Sequence, residues 1–236
     1  MTFAAMAGAL ALSLCAQASG PAPAPTPASH AVPRAPVEKL GPGLFRVGTI
    51  TVDTRKRELT LQGHVNDVQG VEFLANSRGG LKAYESVLTL DTDAISFNMA
   101  LVLIGLDQAN AKRPKQHFDP APVTGDKVSL TVEFKSSEGI VRGPVEKLLF
   151  DRATNSDVPP GEWVYTGSQL YPDGRFAAEA EGVLIGFAHT PTSVVESAKG
   201  IALGNYGSIT PHPKIAAGAA VTLRIAALPS GAGSGR

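Results

Sequence analysis

Residues 94–104, AISFNMALVLI, form an apolar run that is interrupted only by Ser96 and Asn98 near its start. A helix made from such a run has almost no polar face, so other elements must cover most of its sides. Asp93 offers a carboxylate to the free N–H groups of a first helical turn, and Gly105 suits a left-handed cap at the end. With about a dozen residues, the run is far shorter than the ~20 that a bilayer requires. It therefore predicts a buried core helix.

The chain on both sides of this run has the pattern of β-strands. Residues 126–134 (DKVSLTVEF) and residues 218–226 (GAAVTLRIA) alternate between apolar and polar side chains, which is typical of half-buried strands. The sequence contains about ten strand-like runs, separated by turns, and no alternation of strands with long helices. It therefore predicts a mainly β (α+β) fold, in which antiparallel strands pack around the single buried helix at residues 94–104.

Three other segments give more specific predictions. Residues 44–53 predict one strand with a bulge at Gly48, because apolar and β-branched residues flank the glycine. Residues 175–179 and 181–188 predict two strands that follow a Pro-Asp-Gly turn. Residues 193–199 predict a short helix.

The beginning of the sequence has the features of an export signal. Residues 1–18, MTFAAMAGALALSLCAQA, are mostly apolar and end in an A-x-A pattern, which is typical of a secretory signal peptide, although no Lys or Arg precedes the apolar stretch. Cys15 follows Leu-Ser-Leu, as in a bacterial lipobox, so a lipid-modified cysteine stays open as an alternative to cleavage after Ala18. Either alternative predicts an exported protein of the periplasm or cell envelope.

Two segments of low complexity bound the predicted domain. Residues 19–39 are rich in Pro and Ala, which predicts an extended, semi-rigid linker. Residues 229–236 are Gly- and Ser-rich and predict a flexible tail. Residues 40–228 are therefore predicted to form one folded domain.

The charge balance and the cysteine content limit the possible functions. The 236 residues carry 21 Lys+Arg and 21 Asp+Glu, with no basic patch of the kind that nucleic acid requires, so no nucleic-acid partner is predicted. A membrane is a predicted partner only if Cys15 is lipidated. Because Cys15 is the one cysteine, the mature domain has no thiol for disulfides, iron–sulfur clusters or catalysis. Metal ligands are not clustered, and no cofactor is predicted; the histidines beyond the linker are His64, His117, His189 and His212.

Two short polar segments are candidates for catalysis. A hydrolase would use Ser86 or Ser168 as the nucleophile, with Glu85 or Glu181 as the base. Adjacent residues of a strand point to opposite faces, so Glu85 could not activate Ser86 directly, and neither serine lies in a G-x-S-x-G elbow. The alternative is that these hydroxyl groups satisfy backbone groups near the helix.

Four residues are candidates for ligand binding. Lys82, Tyr84 and Glu85 follow a Gly-Gly turn, and Tyr171 lies beside the Pro-Asp-Gly turn. Residues 107–125 predict a loop of about 19 residues, a length that indicates a lid or a partner surface. Without an assembled triad or metal cluster, the sequence favours a non-catalytic binding or accessory module, whose partner is an unknown protein or small ligand, over an enzyme.

Several short segments of the sequence are similar to those of one known family. Residues 81–88 (LKAYESVL), the end of the apolar run (LIG), residues 163–168 (WVYTGS) and the later A-x-x-A-E-G and G-x-x-V-T-L motifs resemble the YdjY-domain family in its order. The resemblance covers most of residues 44–226. It implies a bacterial, often exported protein, but it indicates neither a reaction nor a ligand. Tyr84 stands where members often carry histidine, and the cysteine-rich segments of some relatives are missing here.

Overall fold

The structure is a computed structural model that describes residues 36–205 and 207–229. The predicted signal peptide with Cys15, most of the linker and nearly all of the tail lie outside these residues. The strands of the described part are Val37–Gly41 (β1), Leu44–Val47 (β2), Ile50–Asp53 (β3), Glu58–Val65 (β4), Phe73–Ser77 (β5), Ser86–Leu90 (β6), Asp126–Ser136 (β7), Gly139–Pro144 (β8), Leu149–Asp151 (β9), Ser156–Asp157 (β10), Trp163–Tyr165 (β11), Val183–Gly186 (β12), Val195–Ser197 (β13), Ile209–Pro211 (β14) and Ala220–Ala227 (β15).

Helices contribute little to the described part of the chain. The α-helices are Ala94–Leu103 (α1) and Ala177–Glu181 (α2), and short 3-10 helices span Ala83–Glu85, Gln108–Asn110 and Val145–Leu148. None of the helices described is long and apolar enough to cross a membrane. The predicted mainly β class is therefore confirmed.

Eight strands of the described part close into a barrel. Their order is β4–β15–β7–β11–β13–β12–β5–β6, and the ring closes because β6 pairs back onto β4. Strands β3, β2 and β1 extend from β4 as an antiparallel meander, and β8 pairs with β7. Strands β10, β9 and β14 form a separate three-stranded sheet. Closure leaves the strands of the ring without free edges, which protects them from pairing with other chains.

The apolar faces of the long strands line the barrel core. Val221, Leu223 and Ile225 of β15 are buried, and each lies opposite an apolar residue of both neighbouring strands, β4 and β7. Their polar neighbours along the strand point the other way, as the period of two requires. The alternation predicted for residues 126–134 and 218–226 is thus confirmed.

Helix α1 begins at the predicted residue and ends at Leu103, one residue before the predicted end. The Asp93 carboxylate accepts hydrogen bonds from the Ser96 backbone N–H and hydroxyl, both at 2.6 Å, and Gly105 has a φ of +88° beyond the last turn. Glu179 of α2 reaches the same helix start, because its Oε2 accepts the Ala94 N–H at 2.8 Å. The helix start is therefore satisfied by one local and one distant carboxylate.

The finer prediction of antiparallel strands around a buried helix is not confirmed. Strands β5 and β6 pair in parallel, as do β12 and β13. Helix α1 packs against β2, β3, β12 and α2, and its Phe97 and Leu101 side chains are fully buried. Val102, however, is 51% exposed. The helix is therefore covered on one side and is not enclosed by the sheet.

Three local predictions were wrong. The strand predicted at residues 175–179 is absent, because residues 177–181 form α2, which ends where Gly182 adopts a left-handed φ of +80°; the strand predicted at residues 181–188 is present as β12. Residues 195–197 form strand β13, because they bridge β11 and β12 in the barrel wall. Gly48, with a φ of +57°, reverses the chain between β2 and β3, so residues 44–53 form a hairpin and not one bulged strand.

Candidate functional site

The two candidate nucleophiles donate their hydroxyl groups to the backbone. Ser86 Oγ donates to the Lys82 carbonyl at 2.7 Å, and Ser168 Oγ donates to the Thr192 carbonyl at 2.6 Å. Ser168 Oγ also accepts the Ala178 N–H at 3.2 Å, near the start of α2. Both serines are buried. Each hydroxyl proton is therefore already engaged, and in the described part of the chain neither hydroxyl is hydrogen-bonded to the carboxylate of Glu85 or Glu181.

Glu85 is paired with a lysine. The Lys82 ammonium lies 2.7 Å from Glu85 Oε1 and 3.3 Å from the Tyr84 hydroxyl oxygen. The hydrogen bond to Glu85 is the main cause that raises the pKa of Lys82 to about 12, which keeps this lysine charged. The predicted ligand-binding residues Lys82, Tyr84 and Glu85 thus form one interacting group in the 3-10 turn before β6.

Glu181 and Tyr171 form a second interacting group. The Tyr171 hydroxyl donates to Glu181 Oε1, and the Thr192 hydroxyl donates to Glu181 Oε2 at 3.0 Å. Partial burial, followed by the bond to Glu181, raises the pKa of Tyr171 to about 12. The Tyr171 ring also lies 5.5 Å from the Arg175 guanidinium, which is paired with Asp173.

A histidine–glutamate pair, absent from the sequence prediction, lies between these groups. His117 Nε2 is 3.3 Å from Glu72 Oε2, and the imidazole stacks on Phe118 with ring centroids 3.8 Å apart. Burial lowers the pKa of His117, while burial and the nearby charge of Glu85 raise the pKa of Glu72. Both shifts favour the uncharged forms of the two side chains.

The loop 107–125 brings His117 to this position. The Phe118 N–H donates to the His189 carbonyl at 2.9 Å, and the buried His189 ring lies 2.6 Å from the Asp119 carbonyl oxygen. The other ring nitrogen of His189 lies 2.9 Å from the Ser197 carbonyl oxygen in β13. His189 therefore fixes the loop against the barrel wall, so His117 is held in place by contacts that sequence spacing does not reveal.

A close backbone approach joins the two predicted groups. A Cβ added to Gly182 would lie 2.3 Å from Gly80 Cα, so only glycine allows the turn before Lys82 to meet the end of α2. The charges of Lys82, Glu85 and Glu181 all act on the His117 ring. We call this surface the Lys82–Glu181 face; its residues are Glu72, Leu81, Lys82, Tyr84, Glu85, His117, Leu170, Tyr171 and Glu181.

The Lys82–Glu181 face combines acidic groups with exposed apolar side chains. Leu81 and Tyr84 are 71% and 65% exposed, and Leu170, next to Tyr171, is also exposed. Its charged groups are the carboxylates of Glu72, Glu85 and Glu181 and the ammonium group of Lys82. Exposed apolar side chains bordered by charges are typical of interaction surfaces.

No group of three or more His, Cys, Asp or Glu side chains that could hold a metal ion occurs between residues 36 and 229, apart from residue 206, which is not described. The Asp93 carboxylate caps α1.

Comparison with known proteins gives one match. A family model for the YdjY domain matches residues 50–204, a range that contains every residue of the Lys82–Glu181 face. No curated protein and no solved structure matches the chain.

Proposed function

We infer, from the premise that this chain belongs to the YdjY-domain family, that it is an extracytoplasmic, non-catalytic binding or accessory module. Its Lys82–Glu181 face is the surface that binds the partner. The partner is a protein with a basic segment, which the acidic groups of the face attract and its exposed apolar side chains contact.

The hydrogen bonds of Ser86 and Ser168 are the main support for this proposal. Their hydroxyl protons are donated to the carbonyl groups of Lys82 and Thr192, and Glu85 is paired with Lys82. A serine nucleophile needs a base within hydrogen-bond reach to accept its proton. These contacts support structural roles for Ser86 and Ser168, so they favour the binding module over the hydrolase.

The exposure of the face supports a macromolecular partner. Small-molecule sites bury most of their ligand in a concave pocket. Here the cleft of about 480 Å³ beside Tyr171 and Glu181 is bordered by side chains that project into solvent, such as Arg175. Tyrosine is enriched where one protein binds another, because its ring supplies apolar area and its hydroxyl supplies a hydrogen bond.

The sequence outside the described residues supports the location. Residues 1–18 have the features of a secretory signal, and the one cysteine of the chain, Cys15, falls inside them. The Pro/Ala-rich linker would hold the domain away from the point where the chain leaves a membrane or a partner.

Site-specific photo-crosslinking tests the proposal. The full-length chain is expressed in its source bacterium with p-benzoylphenylalanine in place of Tyr84 or, as a matched control, in place of Ile140 in β8, which is similarly exposed at 67%. We expect the probe at position 84 to give one discrete protein adduct in the periplasmic or envelope fraction. The probe at position 140 should give none.

A second variant connects the adduct to the acidic face. Glu181→Gln removes the charge and keeps one of the two oxygens, which accept from Tyr171 and from Thr192 respectively. We expect it to weaken the adduct formed from position 84. Adducts of equal yield at positions 84 and 140, or none at position 84, would show that this face is not the binding surface. An adduct found only in the cytoplasmic fraction would refute the proposed location.

A further inference from the structure

A separate pocket of about 520 Å³ lies where the end of α1 meets the barrel strand β11. It shares no residue with the Lys82–Glu181 face. The residues that line it are Asn98, Val102, Gly105, Leu106, Asp107, Gln108 and Tyr165. Pockets at the mouths of barrels and between packed elements are common places for small ligands.

The apolar wall of this pocket comes from the side of α1 on which Val102 is exposed. Val102 lies one helical turn after Asn98, so both side chains share one face of the helix. Val102 is half exposed, whereas Leu106 beside it is buried. An apolar helix side left open at a concave surface provides contact area for the apolar part of a ligand.

The polar end of the pocket is built from two side chains bonded to each other. The Tyr165 hydroxyl donates its hydrogen to Asn98 Oδ1 at 2.7 Å. The phenol oxygen therefore keeps its lone pairs for another donor, and its burial, together with the charge of Asp107, raises the pKa of Tyr165 to about 12. At neutral pH this oxygen acts as a fixed, uncharged acceptor.

Carboxylates determine the charge at this end. Of the described residues that line the pocket, Asp107 alone is charged, and its backbone N–H donates to Asp126 Oδ2 at 2.8 Å. Neither aspartate makes an ion pair with any described residue. The charges that act on the Tyr165 oxygen are those of Asp107, Asp126 and one cation, Arg113, so carboxylates are in excess.

The nearby guanidinium groups bind backbone carbonyls and form no ion pair with either aspartate. Arg113 donates to the Thr166 carbonyl at 3.1 Å. Arg57 donates to the Ile104 carbonyl at 3.1 Å and to the carbonyl of Gly105, a residue of the pocket lining, at 3.2 Å, and so compensates the negative end of α1. Asp107 thus lies at a pocket with one apolar wall, and neither it nor the adjacent Asp126 is paired with a described cation.

We propose that this pocket binds a small organic ammonium ion. The ammonium group lies against the Asp107 carboxylate and the Tyr165 oxygen, and the hydrocarbon part contacts Val102 and Leu106. A carboxylate ligand of the same shape is repelled by Asp107, and a neutral alcohol lacks the charge attraction. The inference is independent of the partner proposed for the Lys82–Glu181 face.

Three ligands of one shape test it. Cyclohexylammonium, cyclohexanol and cyclohexanecarboxylate are titrated into the ¹⁵N-labelled full-length chain, and amide shifts are followed by NMR. We expect saturable shifts at Gly105, Asp107 and Gln108 with cyclohexylammonium, and at least tenfold weaker binding of the other two compounds.

Two variants and a control locate the binding. Asp107→Asn keeps an oxygen for the Ala109 N–H, which Asp107 Oδ1 accepts at 2.8 Å, but it removes the charge. We expect it to raise Kd for cyclohexylammonium about fivefold, the effect of about 1 kcal/mol from one ion pair. Val102→Lys places a competing cation in the pocket and should abolish binding. Ile140→Lys makes the same exchange at an exposed position of β8 and should change nothing.

Several results would overturn the inference. Absence of shifts with cyclohexylammonium at millimolar concentration would show that the pocket does not bind ammonium ions. Equal binding of the three compounds would show an apolar pocket without charge selectivity. Binding that persists unchanged in both Asp107→Asn and Val102→Lys would place the site elsewhere.

Discussion

Replacement of Glu196 by glutamine should remove a large pH dependence from the stability of this protein. Glu196 lies in strand β13 with no solvent exposure. Its Oε1 accepts the Ser193 hydroxyl at 2.6 Å and the Thr190 N–H at 2.9 Å, whereas its Oε2 has no hydrogen-bond partner among the described residues. An ionised carboxylate in this position is strongly desolvated, so the protonated form is favoured.

The size of this pH dependence follows from the pKa of the Glu196 carboxyl group in the folded and in the unfolded chain. Burial raises the pKa of Glu196 to about 8 from an ordinary value of 4.5, and the hydrogen bonds from Ser193 and Thr190 offset only part of that effect. The folded chain therefore binds more protons than the unfolded chain between these two pH values. The stabilisation is fully present below pH 4.5 and is lost as the pH rises toward about 8. A difference of about 3.5 pH units corresponds to about 5 kcal/mol.

Urea unfolding of the wild type and of Glu196→Gln at pH 5, 7 and 9 checks this reasoning. Glutamine keeps an acceptor for Ser193 and Thr190 but cannot ionise. We expect the free energy of unfolding of the wild type to fall by about 4 kcal/mol more than that of the variant between pH 5 and pH 9. Glu138→Gln, a change at an exposed carboxylate, should leave the wild-type pH dependence in place. An identical pH dependence in the wild type and Glu196→Gln would refute the argument.

Two further predictions concern packing and capping. Gly186→Ala should lower the free energy of unfolding by about 1–3 kcal/mol, because its Cβ would lie 2.3 Å from Glu196 Oε1 inside the barrel wall. Gly143→Ala, with ordinary room for a Cβ, is the matched control in urea unfolding, and equal midpoints would contradict the predicted clash. Asp93→Ala should lower the free energy of unfolding by about 1 kcal/mol, because Ser96 loses both hydrogen bonds at the start of α1. An unchanged urea midpoint would mean that this cap does not contribute to stability.

The sequence by itself determined the elements whose signals are local. Asp93 and Gly105 delimit α1, because a cap depends on residues within one helical turn. The alternation in β7 and β15 predicts which side chains are buried, because side chains of a strand point to alternate faces. The candidate residues Lys82, Tyr84 and Glu85 are neighbours in sequence, so their mutual contacts could also be expected.

Only the tertiary structure decided which distant residues meet. Periodicity shows which face of a strand is buried but not which strand pairs with it, so neither the closure of β6 onto β4 nor the parallel pairs could be predicted. Val102 is apolar like the buried Leu101 before it, yet its side chain stays about half exposed at the pocket beside the end of α1. His117 reaches Glu72 only because His189 holds its loop against β13. The site depends on such long-range contacts, and they leave no local signal in the chain.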